Sequence, residues 1–283
     1  MSFDFLIPIA TYPDPTPKDG LRRALDIAAK LTGRLTAIVH EVEIAPVYSL
    51  LGDVVLDVAK MAAEAEARSK ARGTDIVSWL EERADRLRLP LALQRIRCRP
   101  EAIGDQLVQA SRTRDFTLMA LDSQNQQQRE VAESIIFGSG GPVLVVATRE
   151  AAVPLVDEIV TPSVFVAWDG SRSAARALRD AMPVLTLASM VSIVTVDDDK
   201  PIDAASISGV REFLARRGIE TRHVARIKGS APIGDVLQAV ALADDADLLV
   251  MGAYGHSRLR EFVLGGATRT VLGNTRLPIL LSH

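Results

Sequence analysis

The sequence predicts an α/β fold: two tandem domains, each a five-stranded, mostly parallel sheet with helices on both faces. Three observations carry this. Short apolar runs of strand length alternate with longer amphipathic, helix-like stretches. Hydrophobic residues make up 48% of the 283-residue chain but aromatics only 4%. That aliphatic mix suits strands buried on both sides. The length allows about two domains of roughly 150 residues each, and the order of elements occurs twice.

In the first half, residues 5–9 read as a strand, 18–32 as a helix and 34–42 as a strand. A long helical stretch follows over 56–87, with a break expected near Gly73. Strand 91–97, helix 101–113 and strand 116–121 come next. Residues 130–137 are helical and 142–147 form the last strand. Gly138-Ser139-Gly140-Gly141 reads as the turn before it.

The second half follows the same plan. Residues 164–168 are a strand, Asp169-Gly170-Ser171 a turn and cap, and 172–187 a helix. Strand 191–196 leads to helix 206–217, which Gly218 stops. Strand 221–227 is followed by a helix from Pro232 to Ala243, a strand over 246–251, a helix near 267–274 and a last strand at 278–282.

Short matches support an internal duplication. Ile103-Gly104-Asp105 pairs with Ile233-Gly234-Asp235, Arg23-Ala24-Leu25 with Arg176-Ala177-Leu178, and Pro142-Val143-Leu144 with Pro278-Ile279-Leu280. They occur in one order at like places, so domains are expected at 1–148 and 161–283 with a linker between. An exposed terminal strand needs a partner. Strand 142–147 is expected to serve 278–282, giving an intramolecular pseudo-dimer; a homodimer of chains stays open.

The pattern that carries chemistry is Gly252-Ala253-Tyr254-Gly255, nine residues, then Gly265-Gly266-Ala267-Thr268. Glycines at a strand end and a helix start let backbone approach a ligand, and the helix start offers N–H groups to an anion. Asp169 follows another strand of the same half, so both face one crevice if the sheet is parallel.

These residues resemble the ATP-binding members of the universal stress protein family, and the whole chain resembles a tandem member. The family's Gly-x2-Gly-x9-Gly spacing is matched by Gly252, Gly255 and Gly265. Ala167-Trp168-Asp169-Gly170-Ser171 and the apolar terminal strand add to it. The resemblance is good over 161–283 and rests on element order over 1–148. It implies the Rossmann-like fold of the adenine nucleotide alpha hydrolase type. It also implies ATP or another adenine nucleotide as ligand, with or without Mg²⁺, and a stress-response or regulatory role. Asp169 would bind ribose or adenine, Ala167 and Val196 would border adenine, and Met251 and Gly252 would line the ribose side. Gly255, Gly265, Gly266 and Ala267 would hold phosphates through backbone N–H groups, and Arg258 would close over them.

The chain departs from the pattern at Gly266, where the family carries Ser or Thr. The missing hydroxyl removes a contact worth about 1–3 kcal/mol. Thr268, two residues further on, is a nearby hydroxyl that could take its place. The first half has Asp122-Ser123-Gln124-Asn125-Gln126 and no glycine pair, and Arg129-Glu130 stands opposite Gly265-Gly266. A carboxylate there would repel phosphate, so the first half is expected to hold no nucleotide.

Two other classes stay in view: a slow ATPase, and an interaction module whose nucleotide site has decayed. Against the enzyme, there is no Gly-x4-Gly-Lys-(Ser/Thr) loop, and His256 has no recognisable acidic partner. The remaining bounds are exclusions. Net charge is −3, which argues against nucleic acid and anionic membrane as partners. Cys98 is alone, so no internal disulfide, zinc site or thiol nucleophile is expected, and His40, His223 and His283 are scattered. No secretory leader or membrane span is expected, and the cytoplasm is the expected compartment.

Overall fold

A computed structural model describes residues 2–45, 58–148, 161–199, 202–253 and 266–283. The chain is α/β with mostly parallel strand pairing, and it divides into two compact units, Met1–Ala120 and Leu121–His283. No helix among the described residues is long and apolar enough to cross a membrane.

The first unit runs β1 (Asp4–Ala10), α1 (Lys18–Lys30), β2 (Arg34–Val42), α2 (Val58–Leu87), β3 (Leu91–Cys98), α3 (Ile103–Ser111) and β4 (Phe116–Leu121). The strands pair in parallel in the order β3-β2-β1-β4. Six successive residues of β1 are buried. Neighbouring strand residues point to opposite faces, so both faces of β1 are covered. Phe5 stacks on Phe116 with ring centroids 5.6 Å apart. Cys98 ends the outer strand as a buried free thiol.

Two sequence expectations change here. The break near Gly73 is absent, and α2 is continuous over its described length. A Cβ on Gly73 would lie 3.0 Å from Glu41 Oε1 and 3.6 Å from Val39 Cγ1. The glycine is therefore where the helix comes close to β2, not where it stops. The helix expected over 101–113 opens as a 3₁₀ turn, Pro100–Ala102, before α3.

The second unit begins with α4 (Gln126–Gly138) and β5 (Val143–Ala147). It continues with β6 (Ser163–Ala167), α5 (Arg172–Asp180), α6 (Met182–Leu185), β7 (Met190–Val196), α7 (Ala204–Ala215) and β8 (Thr221–Arg226). It ends with α8 (Ile233–Ala243), β9 (Leu248–Gly252), α9 (Gly266–Gly273) and β10 (Ile279–Ser282). Strand order is β5-β10-β9-β6-β7-β8. All neighbours are parallel except β5 and β10, which pair antiparallel with Leu280 opposite Leu144. The strand pairing expected between 142–147 and 278–282 is therefore present. It places β5 in the second compact unit.

The helix expected over 172–187 is split at Ala181 into α5 and α6. Pro183 lacks the N–H that would bond back one turn, and its ring clashes with that carbonyl. The helix expected at 130–137 begins earlier, at Gln126. The Asn125 side chain caps it by accepting from Gln128 N at 3.1 Å.

From β6 the chain moves through β7 to β8 and then returns to β9 on the other side of β6. Connections leave the carboxyl ends of β6 and β9 in opposite directions. Such a reversal leaves an open crevice, the usual ligand position in parallel sheets.

Candidate functional site at the reversal of strand order

A cavity of about 400 Å³ lies at this reversal, within the second unit. That is within the range of roughly 300–1,000 Å³ common for small-molecule sites. Ala167, Asp169 and Val196 line it from the ends of β6 and β7, and Met251 and Gly252 from the end of β9. Gly266 and Ala267, the first residues of α9, line it too. The structure thus brings seven of the residues singled out in the sequence to one cavity. Gly255, Arg258 and Gly265, with His256, lie outside the described residues.

Asp169 does not cap α5. Ser171 does, its Oγ accepting from Ala174 N at 3.1 Å. Asp169 Oδ1 accepts from Ser171 N at 2.9 Å, a local turn that orients the carboxylate at the cavity wall.

The two described glycines of the motif have different surroundings. A Cβ on Gly252 would sit 2.5 Å from Ala174 N and 2.5 Å from the Ser173 carbonyl carbon. The end of β9 is pressed against the start of α5, and only glycine fits. A Cβ on Gly266 would meet nothing within 4 Å among the described residues, so none of them requires glycine there. Thr268 lines the cavity and is buried, while the Thr270 hydroxyl donates to Gly266 O at 2.8 Å.

The position of α9 is fixed by α8. A Cβ on Gly234 would lie 2.8 Å from Ala267 O and 2.9 Å from Thr270 Cβ. Gly234→Val is accordingly expected to push the start of α9 off its place. Ligand affinity should fall at least tenfold while the far-ultraviolet helical signal changes little. Calorimetry on the variant checks this, and unchanged affinity refutes it.

Sequence reasoning missed Lys228, which lines the cavity from the loop after β8. Asp198 holds that loop by accepting Lys228 N at 2.7 Å and Gly229 N at 2.9 Å. The Lys228 N–H, with the Gly229 N–H acting beside it against the opposing effect of burial, holds the Asp198 carboxyl below the usual carboxylate range. Lys228 Nζ stands 3.8 Å from Asp199 Oδ1. The available signal was positional: a cation just past the carboxyl end of a strand, at the same rim as Asp169. Among the described residues no group of three or more His, Cys, Asp or Glu is arranged to hold a metal.

In the first half, the segment aligned with the glycine motif is held by hydrogen bonds within it and by one from Thr275 N to Ser123 Oγ at 3.1 Å. Asp122 N donates to Gln128 Oε1 at 2.9 Å and Gln124 N to Asp122 Oδ1 at 3.0 Å. Arg129 and Glu130 lie inside α4 rather than at its start.

The second unit is thus an α/β sheet with a cavity at its strand-order reversal and a helix start on the cavity's rim, an arrangement common among small-molecule sites. Residues 162–283 match the universal stress protein family. A universal stress protein of Synechocystis sp. is 32% identical over 135 residues, covering 43% of this chain. The chain spans 45% of the length of that relative. The crystal structure of a universal stress protein from Archaeoglobus fulgidus has the same fold, with a TM-score of 0.73 at 15% identity, over all of this chain and 96% of its own. A second solved structure, from Pseudomonas aeruginosa UCBPP-PA14, gives 0.58 at 16% identity, over 99% and 93%.

Proposed function

We propose that the second unit binds an adenine nucleotide (ATP, ADP or AMP) in this cavity, and that the chain acts as a regulatory binding protein. The observation that carries this is the convergence of Asp169, Val196, Met251, Gly266 and Ala267 on one cavity at the strand-order reversal. Two chemistries meet there. Apolar strand ends suit a base, and the start of an eight-residue helix suits phosphate oxygens. The space that the described residues leave at Gly266 is what a phosphate needs to reach the backbone. Any Mg²⁺ is assigned to the phosphates of the ligand. Hydrolysis is no part of the proposal. A location in the cytoplasm fits this role.

Titration calorimetry of the full chain with ATP, ADP and AMP tests the reading. Binding of none of them refutes it and favours an interaction module with a decayed site. A phosphate-release assay on the same protein decides whether a slow ATPase is present. We further propose that 1–148 and 161–283 are duplicated domains, because β1-α-β2-α-β3-α-β4-α-β5 is repeated from β6 to β10. We also propose that only the second binds nucleotide, so a stoichiometry near one is expected.

Gly266→Ser supplies the absent hydroxyl at a position with room for it. Affinity for ATP is expected to rise about tenfold, the effect of one hydrogen bond to a charged group. Affinity for adenosine should stay as it is. A variant that folds normally and binds ATP no better removes Gly266 from the phosphate contact.

A further inference from the structure

The geometry points to Trp168 as the base-recognising wall of this site, with Ser206 as its positioning residue. The inference rests on the nucleotide reading above and deepens it by assigning the base side. Trp168 follows β6 and lines the cavity with Val194, Val196 and Ile202. Val164, Phe165 and Val166 just before it are at most 1% exposed. Trp168 itself is only half-buried. A large aromatic ring at a strand end, next to a cavity, is not needed to fill the core.

Its polar atom is already committed. Trp168 Nε1 donates to Ser206 Oγ at 3.0 Å, and Trp168 N donates to Val194 O at 2.8 Å. An indole with its N–H satisfied offers a ligand only apolar ring surface. The partner hydroxyl is itself confined. Ser206 lies in the first turn of α7, and a Cβ on Gly170 (φ +70°) would stand 3.3 Å from its Oγ. The ring is thus pinned at its edge by α7, among aliphatic side chains, with Asp169 beside it as an acceptor. This arrangement suits a flat heteroaromatic ring that carries an N–H donor, as the adenine of the proposed nucleotide does.

The test uses the full chain carrying Trp79→Phe, so that Trp168 is the one indole of the two in the sequence. Adenosine and ATP are titrated by calorimetry and by tryptophan emission. Both ligands are expected to change the emission. Trp168→Leu should weaken adenosine and ATP by the same factor, about tenfold, the typical effect of losing one base stacked on an aromatic side chain. Trp168→Phe should retain most of the affinity. Ser206→Ala should shift the emission of the ligand-free protein and weaken both ligands by a shared smaller factor, and Ser206→Thr should restore both readouts. Binding of ATP with unaltered emission, or full adenosine affinity in Trp168→Leu, overturns the inference and leaves the nucleotide reading standing. If Trp168→Leu does not fold, emission and Trp168→Phe decide the matter. Failure of the starting protein to bind any nucleoside or nucleotide overturns both.

Discussion

Replacing Gly252 with valine is expected to destabilise the second unit by about 1–3 kcal/mol or more, the usual range for overpacking a tight contact. Ligand binding is expected to be lost with it. The backbone of Ser173 and Ala174 occupies the space a side chain would need, and backbone at the start of a helix cannot rotate away as a side-chain tip can. Either β9 or the start of α5 must move, and both carry residues of the cavity wall. In a thermal melt each 1 kcal/mol lowers Tm by about 2–4 °C for a unit of this size. Binding measured well below the melt separates loss of the site from loss of the fold. Gly266→Ala is the control: with nothing among the described residues within 4 Å of its Cβ, Tm should change little. Equal melting of Gly252→Val and the unsubstituted chain would show that the junction is not tight.

That contrast marks what the sequence could and could not show. Strand and helix order was legible because the aliphatic runs and amphipathic stretches have different periods. The ends of β2 and β4 follow directly from the residues. Glycine was harder, because it serves several purposes that look alike in one dimension. Gly73 reads as a helix breaker, yet it is the point where α2 meets β2. Gly252 reads as a ligand-lining glycine of the motif, yet packing against α5 is by itself enough to require it. Only the position of a neighbouring backbone separates these cases, and that neighbour is far along the chain. Lys228 was missed for the same reason: its place at the cavity depends on Asp198 clamping a loop thirty residues away. Trp168 stood in view inside a motif, but its role turns on the tether to Ser206 in a different helix.

Acid should weaken the first unit through His40, in a window set by burial. The imidazole sits in β2 at 3% exposure, and its Nε2 has no hydrogen-bond partner among the described residues. The polar groups nearby are committed to one another: Thr11 Oγ1 donates to His40 O at 2.7 Å, and Ser69 Oγ accepts from Val42 N at 2.8 Å. Arg72 Nη1 donates to Thr11 O at 3.2 Å. Burial therefore holds the imidazole neutral, with its pKa lowered from 6.5 to about 4. In the unfolded chain the same group takes up its proton near 6.5. Above that pH both states are neutral and the full stability is present. As pH falls from 6.5 toward 4 the unfolded state gains a proton that the folded state refuses, so stability declines. Below about 4 both states are protonated and the decline from this group ends. The total is about 3 kcal/mol by linkage, at 1.36 kcal/mol per pH unit. Urea unfolding at pH 7 and pH 4.5 should show a loss about 2–3 kcal/mol smaller in His40→Gln than in the unsubstituted chain. His40→Gln will also lower stability at pH 7, where it disturbs packing, so the difference between the two pH values is the quantity to compare. If both proteins lose the same amount, His40 is already protonated in the folded state or is reached by water, and the buried neutral imidazole is wrong.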